Sequence, residues 1–226
     1  MTLLPFVDTP AQGPCKAVVV WLHGLGDSGH GFAPIVPELR LPTNAGIRFI
    51  FPHAPVQPVT INGGMEMRSW YDIKSMDLLS RADEAGVRDS AAKVQQLLDQ
   101  LIAQGMPSER IVLAGFSQGG VIALHLLARL PYKLAGVMAL STYLCAPEKL
   151  AAEAQPHNKA TPVFFGHGVQ DPVVPMAGGQ QAFHALKKQG FAVSWHDYRM
   201  EHSVCAQEVA DISSFLQRLL LTDKDN

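Results

Sequence analysis

The sequence predicts an α/β protein with a mostly parallel central sheet and helices on both of its faces. Two observations carry this prediction. Short apolar runs, rich in β-branched and aromatic residues, alternate along the chain with longer segments of helical periodicity. In addition, the glycine-rich residues 115–120 join one apolar run to a second, longer one, as expected where a strand turns sharply into a helix.

Six segments have the composition of strands buried in a parallel sheet, where helices cover both faces and the strands need no polar side. In chain order they are residues 17–22, 47–51, 110–114, 134–140, 162–165 and 192–198. Between the second and third strands, residues 54–81 contain prolines, glycines and methionines and lack a clear period. We therefore expect a long functional loop there, not a domain boundary.

Helical periodicity is strongest in two segments, and a third is apolar nearly all round. The first helix ends at Gly105 and Pro107. The helix that follows Ser117 is apolar apart from His125 and Arg129, which predicts a buried helix. The apolar stripes of the other two helices are Val87, Ala91, Val94, Leu98 and Leu101 in the first, and Cys205, Val209, Ile212, Leu216 and Leu219 in the last.

Composition limits the classes of function. A chain of 226 residues that is 47% hydrophobic can bury a large core, so we expect one domain, 1–226, with short flexible termini at about 1–13 and 221–226. A net charge of −2 argues against nucleic acid or an anionic membrane surface as a partner. No spanning helix and no secretory signal are visible, and three scattered cysteines do not suggest disulfides. These features predict a cytoplasmic protein without integral membrane association.

Residues 115–120 read Gly-Phe-Ser-Gln-Gly-Gly and fit the pattern G-x-S-x-G. In this pattern a serine lies on a strained turn with its hydroxyl projecting from the sheet, and side chains in place of the flanking glycines would collide with their surroundings. Because a serine hydroxyl is a weak nucleophile at neutral pH, Ser117 requires a histidine as base and an acid that orients the histidine.

Both partners are present in the expected order along the chain. Asp171 follows the predicted strand at 162–165, and Pro172 after it restricts the direction in which the chain leaves. His202 follows the strand at 192–198, just before the last helix. Asp171 alone is more typical of a turn, and His202 alone of a loop. The order Ser, Asp, His, each after a strand, predicts a nucleophile, an orienting acid and a base.

Residues 23–29, His-Gly-Leu-Gly-Asp-Ser-Gly, follow the first predicted strand. In this architecture the loop supplies one backbone N–H of an oxyanion hole, here that of Leu25, and the residue after the nucleophile, Gln118, supplies the other. Residues 24–29 also spell G-x-G-x-x-G, which is found in dinucleotide-binding proteins. That alternative requires an acidic residue near the end of the second strand, and residues 49–53 have none.

Five ordered motifs together resemble the carboxylesterase/acyl-protein thioesterase family, also called the phospholipase/carboxylesterase family, of α/β-hydrolases. They are the loop 23–29, residues 69–72 (Ser-Trp-Tyr-Asp), residues 115–120, residues 167–175, and the histidine before the last helix. The resemblance runs from about Pro14 to Leu220. It implies an α/β-hydrolase fold without a large lid domain, and hydrolysis of short-to-medium acyl esters, lysophospholipids or S-acyl groups on proteins.

The resemblance also implies roles for individual residues. Ser117, Asp171 and His202 are the implied triad, with the backbone N–H groups of Leu25 and Gln118 as the oxyanion donors. One departure is Glu201, where many relatives have glycine, which alters the charge beside the histidine. An apolar substrate groove is implied at Leu25, Trp70, Leu78, Tyr143 and Val173. The methionines near this loop suit a site for several acyl chains, or equally pin the loop to the core.

The sequence therefore predicts a serine esterase, a carboxylesterase first, that forms an acyl-enzyme. The alternatives are a lysophospholipase or an acyl-protein thioesterase with the same site and, remotely, a non-catalytic ligand-binding relative. Among other residues, His23 is expected to orient the oxyanion loop, His167 to form a hydrogen bond at a strand end, and Cys205 to pack as a small hydrophobe. No metal-binding spacing is present, and no cofactor is expected. Relatives suggest a monomer or homodimer.

Overall fold

A computed structural model describes residues 3–75, 77 and 83–221 of the chain. Its strands are β1 (Phe6–Thr9), β2 (Ala17–Leu22), β3 (Ile47–Pro52), β4 (Val56–Val59), β5 (Met65–Arg68), β6 (Ile111–Phe116), β7 (Gly136–Leu140), β8 (Val163–Gly168) and β9 (Val193–Tyr198). Its α-helices are α1 (Gly29–Phe32), α2 (Ile35–Glu38), α3 (Glu84–Ala103), α4 (Gln118–Arg129), α5 (Leu150–Glu153), α6 (Met176–Lys188) and α7 (Ala206–Leu220).

The central sheet has the strand order β1-β3-β2-β6-β7-β8-β9. From β3 to β9 the strands run parallel, and β1 pairs antiparallel with β3 at the edge. Strands β2, β6 and β7 lie in the middle and are buried along almost their whole length, since helices cover both faces. The expected α/β-hydrolase architecture, without a large lid domain in the described residues, is confirmed.

Two apolar layers hold the helices on the sheet. Helices α3, α4 and α6 pack on one face, where Val121, Leu124 and Leu98 belong to the larger cluster. Helices α1 and α7 pack on the other face, with Trp21 and Phe215 in the second cluster. Because the strands are parallel, the loops that follow β2, β6, β8 and β9 all emerge at the carboxyl ends of the strands. Ligands of open α/β sheets bind at this end of the sheet.

Two predictions about irregular regions are wrong. Residues 54–81 are not simply a loop, because β4 and β5 form an antiparallel hairpin with Val56 opposite Arg68. The predicted flexible N-terminal stretch includes β1, in which Phe6–Thr9 pair with residues 49–52 of β3. Both elements are short and largely exposed or half-buried, so they lack the continuous apolar run that identifies a central strand. Helix α6 is a further element that the sequence reasoning does not predict, although Ala182 and Leu186 have helical spacing.

Candidate active site

Ser117 is the single residue between the end of β6 and the start of α4. Its backbone angles, φ 54° and ψ −117°, are rarely adopted by a residue with a side chain. Two hydrogen bonds hold it there: the Ser117 N–H donates to the Leu140 carbonyl at 2.8 Å, and the Thr142 hydroxyl donates to the Ser117 carbonyl at 2.7 Å. The end of β7 and the residues just after it thus stabilise a turn that the serine would not adopt by itself.

The glycines on either side of Ser117 are required by backbone crowding. A β-carbon at Gly115 would overlap the carbonyl of Gly119, and one at Gly119 would lie 2.5 Å from the carbonyl oxygen of Leu22. Neither contact can be relieved by rotating a side chain, since both partners are backbone atoms. The collisions expected from the sequence pattern are therefore present, and the β6–α4 turn packs directly on the end of β2.

His202 connects Ser117 and Asp171. Its Nε2 lies 2.9 Å from the Ser117 Oγ, and its Nδ1 lies 2.7 Å from an oxygen of Asp171. Asp171 lies in the loop after β8, and His202 lies between β9 and α7. The ring of Phe116 packs on the imidazole, with centroids 4.7 Å apart. Ser117 and His202, more than 80 positions apart in the chain, thus come within hydrogen-bonding distance at the carboxyl ends of the strands.

The surroundings of Asp171 keep its carboxylate ionised. Burial opposes ionisation, but the hydrogen bond with His202 and the N–H groups of Val174 and Val173, at 2.8 and 2.9 Å, hold the pKa of Asp171 below its usual value. An ionised carboxylate accepts from Nδ1–H of His202, which leaves Nε2 free to accept the hydroxyl proton of Ser117. This is the tautomer that a general base needs.

His167, which the sequence predicts to be a hydrogen-bonding residue, lies next to Asp171. Its Nε2 is 2.8 Å from the Val174 carbonyl and 3.7 Å from Asp171. Burial lowers the pKa of His167, so a neutral ring with its proton on Nε2 donates to Val174. The ring therefore supports the loop that carries Asp171, since its hydrogen bond is with Val174 of that loop.

The loop after β2 is held by His23 in the manner expected. The Ala54 N–H donates to His23 Nε2 at 3.0 Å, so the ring proton is on Nδ1 and donates to the Gly24 carbonyl at 2.6 Å. Burial lowers the pKa of His23 and keeps this ring neutral. The Trp70 indole N–H donates to the His23 carbonyl at 2.9 Å. Within the described part of the chain, neither predicted oxyanion donor, the N–H of Leu25 or of Gln118, has a recorded hydrogen-bond partner.

The side chain of Gln118 has a structural role that the sequence did not reveal. Its carbonyl oxygen accepts from the Trp70 N–H at 2.8 Å, and its amide donates to the Ser69 hydroxyl at 2.9 Å and the Tyr71 carbonyl at 2.6 Å. The sequence predicts a role for the backbone N–H of Gln118 and none for its side chain, so these bonds are an addition from the structure. The hydrogen bonds of this buried amide connect residues 69–71 to the start of α4. The motif at 69–72 was the available signal, although nothing in the sequence paired it with Gln118.

A cavity of about 230 Å³ opens beside Ser117 and His202. Of the predicted substrate residues, Leu25 and Val173 line this cavity, and Val173 is 41% exposed. Trp70 and Tyr143 do not line it. They are only 1% and 4% exposed, and the Tyr143 hydroxyl is 2.8 Å from that of Tyr71. Leu78 lies outside the described residues. The other side chains around the cavity, which the sequence does not single out for this role, are Asp27, Ile73 and Phe116.

Two other features, a metal-binding cluster and a membrane-spanning helix, are absent from the residues that the structure describes. Among the described residues, no group of three or more His, Cys, Asp or Glu side chains could hold a metal ion. No helix in the same part of the chain is long and apolar enough to cross a membrane.

Comparison with known proteins identifies the family. The profile of the Phospholipase/Carboxylesterase family matches residues 5–220. An acyl-protein thioesterase 1 from Neurospora crassa is 42% identical, over 96% of this chain and 92% of its own, and one from Cryptococcus neoformans is 39% identical over 90% and 92%. The crystal structure of Zea mays acyl-protein thioesterase 2 superposes with a TM-score of 0.84 at 29% identity, covering 96% of this chain and 99% of its own. The chain is a serine hydrolase and belongs to the phospholipase/carboxylesterase family of α/β-hydrolases.

Proposed function

We propose that the protein hydrolyses carboxylic esters or thioesters of short-to-medium acyl chains, with Ser117 as nucleophile, His202 as general base and Asp171 as orienting acid. The observation that carries the proposal is the continuous hydrogen-bonded row from Asp171 through His202 to Ser117, with distances of 2.7 and 2.9 Å. These distances lie in the range required for proton transfer between a nucleophile and its base.

The mechanism follows from this geometry. His202 Nε2 removes the hydroxyl proton as the Ser117 Oγ attacks the acyl carbon, and the ionised Asp171 stabilises the imidazolium that forms. The alcohol or thiol leaves with the proton from His202, and an acyl-serine remains. Water, activated by the same histidine, then releases the carboxylic acid. No cofactor takes part in these steps.

Negative charge that develops on the carbonyl oxygen needs hydrogen-bond donors in place before the reaction. In this proposal the donors are the N–H groups of Leu25 and Gln118. Both belong to anchored segments, since His23 holds the loop before Leu25 and the Gln118 side chain is itself bonded at three points. Donors that need no rearrangement contribute most to the rate, and the loss of one costs about 10²–10³ in turnover.

Substitution of the nucleophile tests the proposal directly. Ser117→Ala should lower kcat for a short p-nitrophenyl ester by about 10⁴–10⁶, the scale seen when a serine nucleophile is removed. Ser214→Ala is the matched control, because Ser214 is an exposed serine on α7. A fluorophosphonate probe should label the wild type and the control but not Ser117→Ala. If Ser117→Ala retains turnover near that of the wild type, the assignment is wrong.

The preferred substrate is the second part of the proposal. Carboxylesterase is the first expectation from the sequence, but relatives of about 40% identity are named acyl-protein thioesterases, which favours the thioesterase alternative. We propose that S-acyl groups are substrates, and that the protein acts in the cytoplasm as a monomer or homodimer. Within the cavity, Val173 is proposed to contact the acyl chain.

A matched series of oxygen esters and thioesters with the same acyl chains separates the two activities. A thioesterase should show a higher kcat/KM for thioesters than their intrinsic reactivity explains, and should deacylate an S-acylated peptide. A preference for oxygen esters at every chain length would support the carboxylesterase instead. Lysophospholipids of the same chain lengths test the remaining alternative.

A further inference from the structure

The first turn of α7 contains a carboxyl group that the proposed mechanism does not use. Glu208 is 0% exposed, and neither of its side-chain oxygens has a hydrogen-bond partner among the described residues. A buried polar group without a partner destabilises the native state, so its presence in a native structure calls for an explanation. Glu208 lies six residues after His202, which suggests a connection with the active site.

The carboxyl group fills the place of a missing side chain on β8. A β-carbon at Gly166 would overlap an oxygen of Glu208. Two residues further along β8, and therefore on the same face, a β-carbon at Gly168 would overlap the carbonyl oxygens of Met200 and Glu201. The Glu208 carboxyl and the backbone just before His202 therefore pack side by side on β8, against two glycines on the same face of the strand.

This arrangement determines where the segment 199–205, from β9 to α7, can lie. At its β9 end, the Gln170 N–H donates to the Met200 carbonyl at 3.1 Å, and the Val169 N–H donates to the Tyr198 carbonyl at 2.9 Å. At its other end the segment enters α7, whose first turn rests on β8 through Glu208. The separation between that turn and β8 therefore controls the position of His202 between its two partners.

We propose that Glu208 is a positioning residue for His202, and that its carboxyl group sets the distance between the first turn of α7 and β8. The proposal rests on the proposed function of Ser117, Asp171 and His202. A change in the Glu208 side chain should therefore affect the chemical step more than substrate binding, since an error of about 1 Å in the placement of a reacting group can cost about 10² in rate.

Burial, together with one nearby charge, keeps the Glu208 carboxyl neutral. Burial, and then the charge of Asp211 on the same helix, raise the pKa of Glu208 to about 8. The Asp211 carboxylate accepts a hydrogen bond from the Tyr198 hydroxyl of β9 at 2.9 Å. His196, opposite Gly166 on β9, stacks on Phe164, and Cys205 precedes the first turn of α7. No lysine or arginine contributes to this shift. Ionisation at higher pH should therefore drive the carboxylate away from Gly166 and displace the turn.

The test compares Glu208→Ala and Glu208→Gln with the wild type and with Gln207→Ala, an exposed neighbour on the same turn. At pH 7, Glu208→Ala should lower kcat by about 10- to 100-fold with KM changed less than about twofold, in protein shown by circular dichroism to be folded at the assay temperature. Glu208→Gln, which has the same shape and no charge, should keep kcat within about threefold of the wild type.

The pH profile provides a readout that simple filling of space would not change. Above about pH 8, kcat of the wild type should fall relative to that of Glu208→Gln, whether or not Glu208→Ala folds. The proposal is overturned if the two profiles have the same shape, if folded Glu208→Ala keeps kcat, or if its loss is entirely in KM. Failure of the proposed function is distinguishable, because Ser117→Ala would then remain active whatever happens at position 208.

Discussion

The buried Glu208 should make the folding stability of the protein depend on pH in a way that one substitution removes. Its pKa is raised from 4.5 to about 8, so the native state keeps a proton that the unfolded chain releases. Below about pH 4.5 both states are protonated, and the group does not affect the balance between them. As the pH rises from 4.5 towards 8, unfolding releases this proton and the native state becomes progressively less stable.

The magnitude follows from these two pKa values. Each pH unit well inside the interval removes about 1.4 kcal/mol of unfolding free energy. Integrated from about pH 5.5 to about pH 7.5, the loss is about 2.5 kcal/mol, a large part of the total stability of a typical domain. Glu208→Gln has the same shape and cannot titrate. Its stability relative to the wild type should therefore rise by about 2.5 kcal/mol over the same range.

Urea unfolding followed by tryptophan fluorescence measures this difference, since Trp21 and Trp70 are buried and report on the core. The contributions of other titrating groups cancel when the variant and the wild type are compared at the same pH. Gln207→Ala is the control and should show a constant offset. A difference between Glu208→Gln and the wild type that does not change with pH would refute the reasoning, and a difference that decreases with pH would reverse its sign.

Two further predictions concern the turn at Ser117. Gln118→Ala leaves the buried Trp70 N–H and Tyr71 carbonyl without their partners, so it should reduce the unfolding free energy by about 2–4 kcal/mol, measured by urea unfolding. An unchanged urea midpoint would contradict the stabilising role of the Gln118 amide. Gly119→Ala should lower the Tm strongly in a thermal melt despite the better helix propensity of alanine, because the new β-carbon meets the Leu22 carbonyl oxygen at 2.5 Å. A higher Tm would show that propensity outweighs the clash.

The central strands were predictable because burial on both faces leaves a continuous apolar run. Strand β2 has the predicted bounds, and β3 extends only one residue further. The edge elements were not predictable for the opposite reason. In β1 and in the β4–β5 hairpin, exposed and half-buried residues are mixed, and pairing with a neighbour stabilises the strand more than its own composition does.

The order of motifs along the chain was sufficient to select the residues that meet at the sheet edge. Ser117, Asp171 and His202 each follow a strand, and parallel strands bring such loops together, so their proximity follows from topology and pattern. The same reasoning could not place Trp70 and Tyr143. An aromatic residue near a functional loop has the same sequence signature whether it faces a substrate or, as here, is buried in the core.

The sequence by itself determined the parallel α/β architecture, the glycines of the Ser117 turn and the three side chains, Ser117, Asp171 and His202, that come together after their strands. These features depend on local sequence pattern and on the order of motifs along the chain, and both can be read directly from the sequence. Only the tertiary structure decided that the Gln118 side chain fastens residues 69–71, and that Glu208 is buried against Gly166. In the sequence, a glutamate in the first turn of a helix is typical of a solvent-exposed position. Its environment depends on a strand about 40 residues away in the chain, and packing of this kind has no local signature.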